Sequence, residues 1–177
     1  SVDRPDGSSI PLNQQDDLGK KWNLTTTVVQ GENGPGYFNL KYVDMAGNSG
    51  VDVDNTTDGS RFTFDTISPS LVSVHLVSNN PKEDQAREGD NLTLRLASDE
   101  PIELSQVTLA GNNNPDINDI SDHGTEWEVS ILVDQNTPEN QATFSVAFND
   151  KAGNQGTTQT STKDRSSVNI DTTPPIM

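Results

Sequence analysis

The chain has 177 residues, a formal net charge of −16, 29% hydrophobic residues and no cysteine. The missing thiols exclude disulfides, thiolate metal sites and a cysteine nucleophile, and the negative charge opposes binding to nucleic-acid phosphates and anionic lipid surfaces. No run approaches the roughly 18 apolar residues of a membrane span, which argues against direct membrane insertion.

In chain order, the first patterned stretches are "WNLTTTV", opening at Trp22, and "YFNLKYV" (37–43), which alternates Phe38, Leu40 and Tyr42. "DMAGNSG" (44–50) follows as a turn, since Gly and Asn tolerate positive φ. "DNTTDGSRFTFD" (54–65) places acids at positions 1, 5 and 12 and Gly59 at position 6, as in half of an EF-hand loop. Thr56 stands at position 3 and no helical pattern flanks the segment, so it reads as a turn. "FDTISP" (64–69) reads as a linker. Then come strand segments with period two: Val72, Val74 and Leu76; Leu92, Leu94 and Leu96; Val107 and Leu109; Trp127, Val129, Ile131 and Val133; Ala142, Phe144, Val146 and Phe148; Val168 and Ile170. Such alternation predicts strands with one buried face and one wet face, and the clusters "REGDN", "GNNNPDIND", "NTPEN" and "DKAGNQG" between them are turn formers. No segment carries a 3.6-residue apolar stripe.

The frame D-x-A-G-N-x-G occurs twice, at 44–50 and 150–156, a spacing of 106 residues. Trp22 and Trp127, Phe38 and Phe144, Asp65 and Asp171, and Pro69 and Pro175 recur at nearly the same offset. A fixed period over several features marks a tandem array, and this one is longer than the roughly 20–50 residues of a solenoid unit. It matches one immunoglobulin-like sandwich of about 100 residues. The expected fold class is therefore all-β, as tandem immunoglobulin-like antiparallel sandwiches. Residues 1–67 are expected to be a partial repeat lacking about the first 38 residues, with residue 1 matching about residue 106, and 68–177 a complete seven-stranded repeat plus the start of the next linker. With no initiating Met and no signal peptide, the chain reads as an excerpt of a longer one. A partial repeat would leave open edges, completed by neighbouring repeats or by strands from another chain.

In such a sandwich the last hairpin, the loop between the second and third strands, and the incoming linker share one end. That predicts convergence of Asp65 from the linker, Asp99 and Glu100 from "ASDEPIE", and Asp150 from the hairpin. Clustered carboxylates raise one another's pKa, and a hard cation taking six to eight oxygens relieves that cost. Calcium suits the set better than magnesium. The competing reading is that Asp150 and Asn154 only cap the hairpin.

The combination of D-T-x-x-P linker, Gly89-Asp90 before the second strand, Ser98-Asp99-Glu100-Pro101 after it, a Trp strand and D-x-A-G-N resembles the immunoglobulin-like repeats of large bacterial surface and secreted adhesins. The resemblance covers 68–175 and the latter part of the pattern in 1–67. It implies an extracellular or cell-surface, non-catalytic stalk, with calcium between repeats. One departure is the additional acid within the usual S-E-P, so both Asp99 and Glu100 are candidates. His75 and His123 read as bystanders, and no G-x-S-x-G, P-loop or H-E-x-x-H occurs, so no enzyme is expected. The alternative function is an adhesive domain whose loops recognise a glycan or protein. With nine aromatics, most on inward phases, the spacer is favoured. Three sequons, at Asn23, Asn55 and Asn91, are what chance supplies in a chain this rich in Asn, Ser and Thr.

Overall fold

The structure, a computed structural model, describes residues 21–177 and the backbone of 2–3, 9–10 and 13–14. The expected match of residue 1 with residue 106 falls outside these. Among the described residues all regular structure is strand, and no helix is long and apolar enough to cross a membrane. The chain divides into two compact units, Ser1–Ile67 and Ser68–Met177.

The first unit has three short antiparallel pairs: β1 (Val2–Asp3) with β2 (Ser9–Ile10), β3 (Asn13–Gln14) with β4 (Trp22–Asn23), and β5 (Gly34–Pro35) with β6 (Thr63–Phe64). Isolated bridges join Leu40 to Val53 and Val43 to Ser49.

The second unit holds β7 (Leu71–Ser78), β8 (Gln85–Ala86), β9 (Asn91–Ser98), β10 (Ile102–Leu109), β11 (Asp116–Asp119), β12 (Glu126–Leu132), β13 (Asn140–Gln141), β14 (Phe144–Asp150) and β15 (Asn169–Ile170). One sheet has the order β11-β12-β9-β7, a second pairs β10 with β14, and a third has the order β13-β15-β8. The alternating residues form one core, with Val74, Leu76, Leu92, Leu94, Leu96, Val129 and Ile131 from the four-stranded sheet, and Val107, Leu109, Phe144, Val146 and Phe148 from the β10–β14 pair. This is a sandwich-like burial of two facing apolar surfaces, the dominant favourable contribution to folding.

Several details differ from the sequence expectation. β10 starts at Ile102 rather than Val107, and β11 lies inside a stretch that reads as turn. The sheets are not wholly antiparallel, because β15 pairs with β8 in parallel. Trp127 is half-buried, its ring against the core and its indole N–H donating to the Gly124 carbonyl at 3.2 Å. In the first unit, aromatics on the inward phase are largely exposed: Trp22 by 53%, Tyr42 by 52% and Phe62 by 46%.

Local hydrogen bonding recurs at the 106-residue spacing. Bridges Leu40–Val53 and Val43–Ser49 correspond to Val146–Gln159 and Asn149–Gln155. The Gly34–Phe64 pair corresponds to Asn140–Ile170, with φ of +104° and +83° at Gly34 and Asn140. Thr56 Oγ1 donates to the Ser60 carbonyl, and Thr162 Oγ1 to that of Ser166, both at 2.8 Å. The outer edge of β7 is covered by the 162–166 segment: Lys163 N–H donates to the Val74 carbonyl at 3.0 Å, and Leu76 N–H to Ser166 Oγ at 2.8 Å. His75 Nδ1 and Asp164 Oδ2 meet at 2.5 Å, and Ser166 and His75 together hold Asp164 well below the usual carboxylate range.

Candidate metal centre

Asp150 ends β14, and its side chain is buried, 2% exposed. The chain then turns back through Gly153, whose φ of +94° suits a residue without Cβ. The Asp150 carboxylate closes this turn. Oδ1 accepts the Asn154 N–H and Oδ2 accepts Asn154 Nδ2, each at 2.8 Å. Burial works against the ionised form, but the bonds from Asn154, Gly153 and Ala152 outweigh it, so the pKa lies below the ordinary value. Asp44 is built the same way, accepting the N–H of Ala46 and both nitrogens of Asn48. The capping role expected for this frame is therefore present in both copies.

Strand register brings the second acid to Asp150. Ile102 is the residue opposite Asp150 on β10, so the turn ahead of Ile102 lies beside the end of β14. That turn is fixed by Ser98 Oγ, which donates to the Glu100 carbonyl at 2.6 Å, and by Ile102 N–H, which donates to the Gly124 carbonyl at 2.8 Å. Asp65 stands in the segment leading to Ser68, where its Oδ1 accepts the Ile67 N–H at 3.0 Å.

Within the second unit, Glu100 and Asp150 each present a carboxylate oxygen, and these two oxygens lie within 4.8 Å of each other. Two oxygens opposite each other on a calcium ion, at about 2.4 Å each, span about that distance. The pair can contribute ligands to a metal ion. Each carboxylate oxygen has two lone pairs, so the bonds from Asn154 leave Asp150 with acceptor capacity. A general acid working near neutral pH needs a raised pKa, and Asp150 moves the other way.

Asp99 stands outside this group. Its Oδ1 accepts the Ser70 N–H and its Oδ2 the Ser70 hydroxyl, each at 2.8 Å, while Asp99 N–H donates to the Ser70 carbonyl at 3.0 Å. These bonds hold its pKa below the ordinary value and tie the turn after β9 to the start of β7. Asp171 accepts the Thr173 N–H at 3.1 Å, repeating the bond between Asp65 and Ile67. Asp58, within the half EF-hand pattern, accepts the Ser60 N–H at 2.9 Å and belongs to a turn.

One pair of positioning residues escapes the sequence reading. Asn33 Oδ1 accepts from Thr66 N–H at 2.7 Å and Thr66 Oγ1 at 3.1 Å, fixing the residue after Asp65. In the second unit Glu139 accepts from the N–H and hydroxyl of Thr172, at 3.2 and 3.0 Å. Asn33 and Glu139 are themselves 106 residues apart, which is the signal that marks them. Comparison with protein-family models, curated proteins and solved structures finds no match.

Proposed function

We propose that the chain is a non-catalytic spacer module of a long extracellular surface protein or adhesin, built from tandem immunoglobulin-like sandwiches and stiffened by calcium at Asp65, Glu100 and Asp150. The observation that carries this reading is the meeting of Glu100, from the turn ahead of Ile102, with Asp150, from the hairpin, at one end of the second unit. Asp65, in the connecting segment "FDTISP", is expected from the sequence to join them. A cation shared among them ties connector to domain. The recurrence of bridges, caps and φ values at 106-residue spacing supports a repeating unit. The resemblance to adhesin repeats points the same way.

The mechanical role follows from the connector. "DTISP" holds one proline and otherwise leaves rotatable backbone. A divalent cation supplies what the clustered carboxylates need, charge neutralisation and shared coordination. Extracellular modules bind calcium at about 10⁻⁴–10⁻³ M, so occupancy follows the medium outside the cell. Small-angle scattering of the chain in millimolar calcium and in chelator tests the reading. A longer, narrower distance distribution with calcium is expected. Identical distributions would remove the stiffening role.

A further inference from the structure

Asn33 is the one asparagine of 18 that precedes a glycine. The main-chain nitrogen of the following residue can attack an asparagine side chain at Cγ and close a five-membered imide. A Cβ on that following residue hinders the approach, and Gly34 has none. Every other asparagine precedes a residue with a side chain. Several also have their leaving nitrogen held. Asn48 Nδ2 donates to Asp44 and Asn154 Nδ2 to Asp150, each at 2.8 Å, and Asn80 Nδ2 donates to Asp90 at 2.7 Å.

At Asn33 the bonds fall on the oxygen instead. Oδ1 accepts from Thr66 N–H at 2.7 Å and from Thr66 Oγ1 at 3.1 Å. Gly31 N–H donates to Thr66 Oγ1 at 3.0 Å, which leaves the hydroxyl proton for Asn33, and Gln30 Nε2 donates to the Thr66 carbonyl at 3.1 Å. Thr66 is thus latched by the 30–33 segment through its N–H, its hydroxyl and its carbonyl. Two donors on the amide oxygen also stabilise the oxyanion that forms when Cγ is attacked. Gly34 pairs with Phe64 in a ladder of only two residues, and so short a ladder opens at low free-energy cost. Opening frees the Gly34 nitrogen beside an amide carbonyl that is already polarised.

We infer that Asn33 is a site of spontaneous deamidation, and that its two products leave the Thr66 latch in opposite states. The Gly34 nitrogen gives its proton to hydroxide and bonds to Asn33 Cγ. The Cγ–Nδ2 bond breaks, and Nδ2 takes up a proton and leaves as ammonia. Water then opens the imide. Attack at Cγ restores the main chain and makes position 33 an aspartate. Attack at the main-chain carbonyl carbon makes it an isoaspartate, with one more methylene in the main chain. The aspartate keeps an oxygen where Oδ1 stood and accepts both Thr66 bonds, as Glu139 accepts from Thr172 in the second unit. The isoaspartate shifts its carboxylate and Gly34 together, so the Thr66 bonds and the Gly34–Phe64 pair cannot both be kept. The inference goes beyond the spacer reading and does not depend on calcium.

The test incubates the full chain in mildly alkaline buffer with chelator and follows it by peptide mapping with mass spectrometry. Isoaspartate is counted by enzymatic methyl transfer. Asn33 is expected to lose its amide before any other asparagine converts, and both aspartate and isoaspartate should appear at position 33. Hydrogen exchange at the Thr66 amide reads the latch. Its protection should fall in step with isoaspartate and should be retained in the Asn33→Asp variant. Should that variant fold poorly, the wild-type time course still decides, because loss of protection must track isoaspartate and not total deamidation. An intact Asn33 after another asparagine has converted, a single product at position 33, or loss of Thr66 protection in step with aspartate would overturn the inference. With calcium absent throughout, this result and the calcium response stand or fall separately.

Discussion

The ring of Phe148 occupies the space where a side chain on Gly156 would begin. A Cβ built at Gly156 falls 2.2 Å from Phe148 Cε2, and the Gly156 N–H donates to the Phe148 carbonyl at 3.0 Å. Tyr42 and Gly50 repeat the relationship, with 2.2 Å to the ring and 2.9 Å for the bond. This accounts for the final glycine of D-x-A-G-N-x-G. It admits the aromatic ring that precedes the turn, while the first glycine supplies the positive φ.

Gly156→Ala is therefore expected to destabilise the second unit by about 1–3 kcal/mol, since Phe148 is buried and must shift within a filled core. Gly50→Ala should cost less, because the exposed Tyr42 ring can swing away. Denaturant unfolding of the two variants measures both. Equal costs would contradict the packing account.

Phe144→Ala removes a core ring, and a loss of about 3–5 kcal/mol is expected in the second unit. Phe38, its half-buried counterpart, should cost less than half of that on truncation. The same unfolding experiment, read by probes in each unit, makes the comparison.

Asp150→Asn keeps the side-chain shape but turns a donor amide toward Asn154, whose two nitrogens both donate to Asp150. A cost of about 1–3 kcal/mol is expected in chelator, from unsatisfied buried donors alone. Thermal melting in chelator isolates this capping role from any effect of calcium. A neutral result would mean that the hairpin does not depend on the carboxylate.

Acid sensitivity follows from the same carboxylates. The folded-state pKa values of Asp90, Asp99, Asp119 and Asp150 all lie below the ordinary 3.8. Groups depressed on folding contribute stability that is present above the unfolded value and lost as pH falls through the folded one. Melting temperature in chelator should be level from pH 7 to about 5 and fall steeply below about 4. A decline starting near pH 6 would contradict this assignment and point to histidine.

Much of the core is legible because period-two alternation states directly which side chains point inward, as with Phe144, Val146 and Phe148. β11 is not legible, since Asp116–Asp119 offers a single apolar residue, Ile117, and is a strand only through pairing with β12. The parallel pairing of Gln85–Ala86 with Asn169–Ile170 joins segments far apart in sequence and leaves no local pattern. At the candidate site, neighbouring acids defeat sequence reasoning. Asp99 and Glu100 are adjacent, and which one faces Asp150 depends on the turn, where Ser70 engages both Asp99 oxygens. The exposure of Phe62 and Tyr42 is equally invisible in the pattern, because alternation marks an apolar face without saying what covers it.

The most direct test is calcium-dependent melting of the second unit, in wild type and in Asp65→Asn. Binding of calcium to the folded state raises stability by about 2.7 kcal/mol at a hundredfold excess over Kd, a rise of about 10 °C for a domain of this size. The wild type should show this rise on moving from chelator to calcium, and Asp65→Asn should lose most of it while melting normally in chelator. Identical melting of the wild type with and without calcium, or a full response in Asp65→Asn, would contradict a calcium ion shared by Asp65, Glu100 and Asp150.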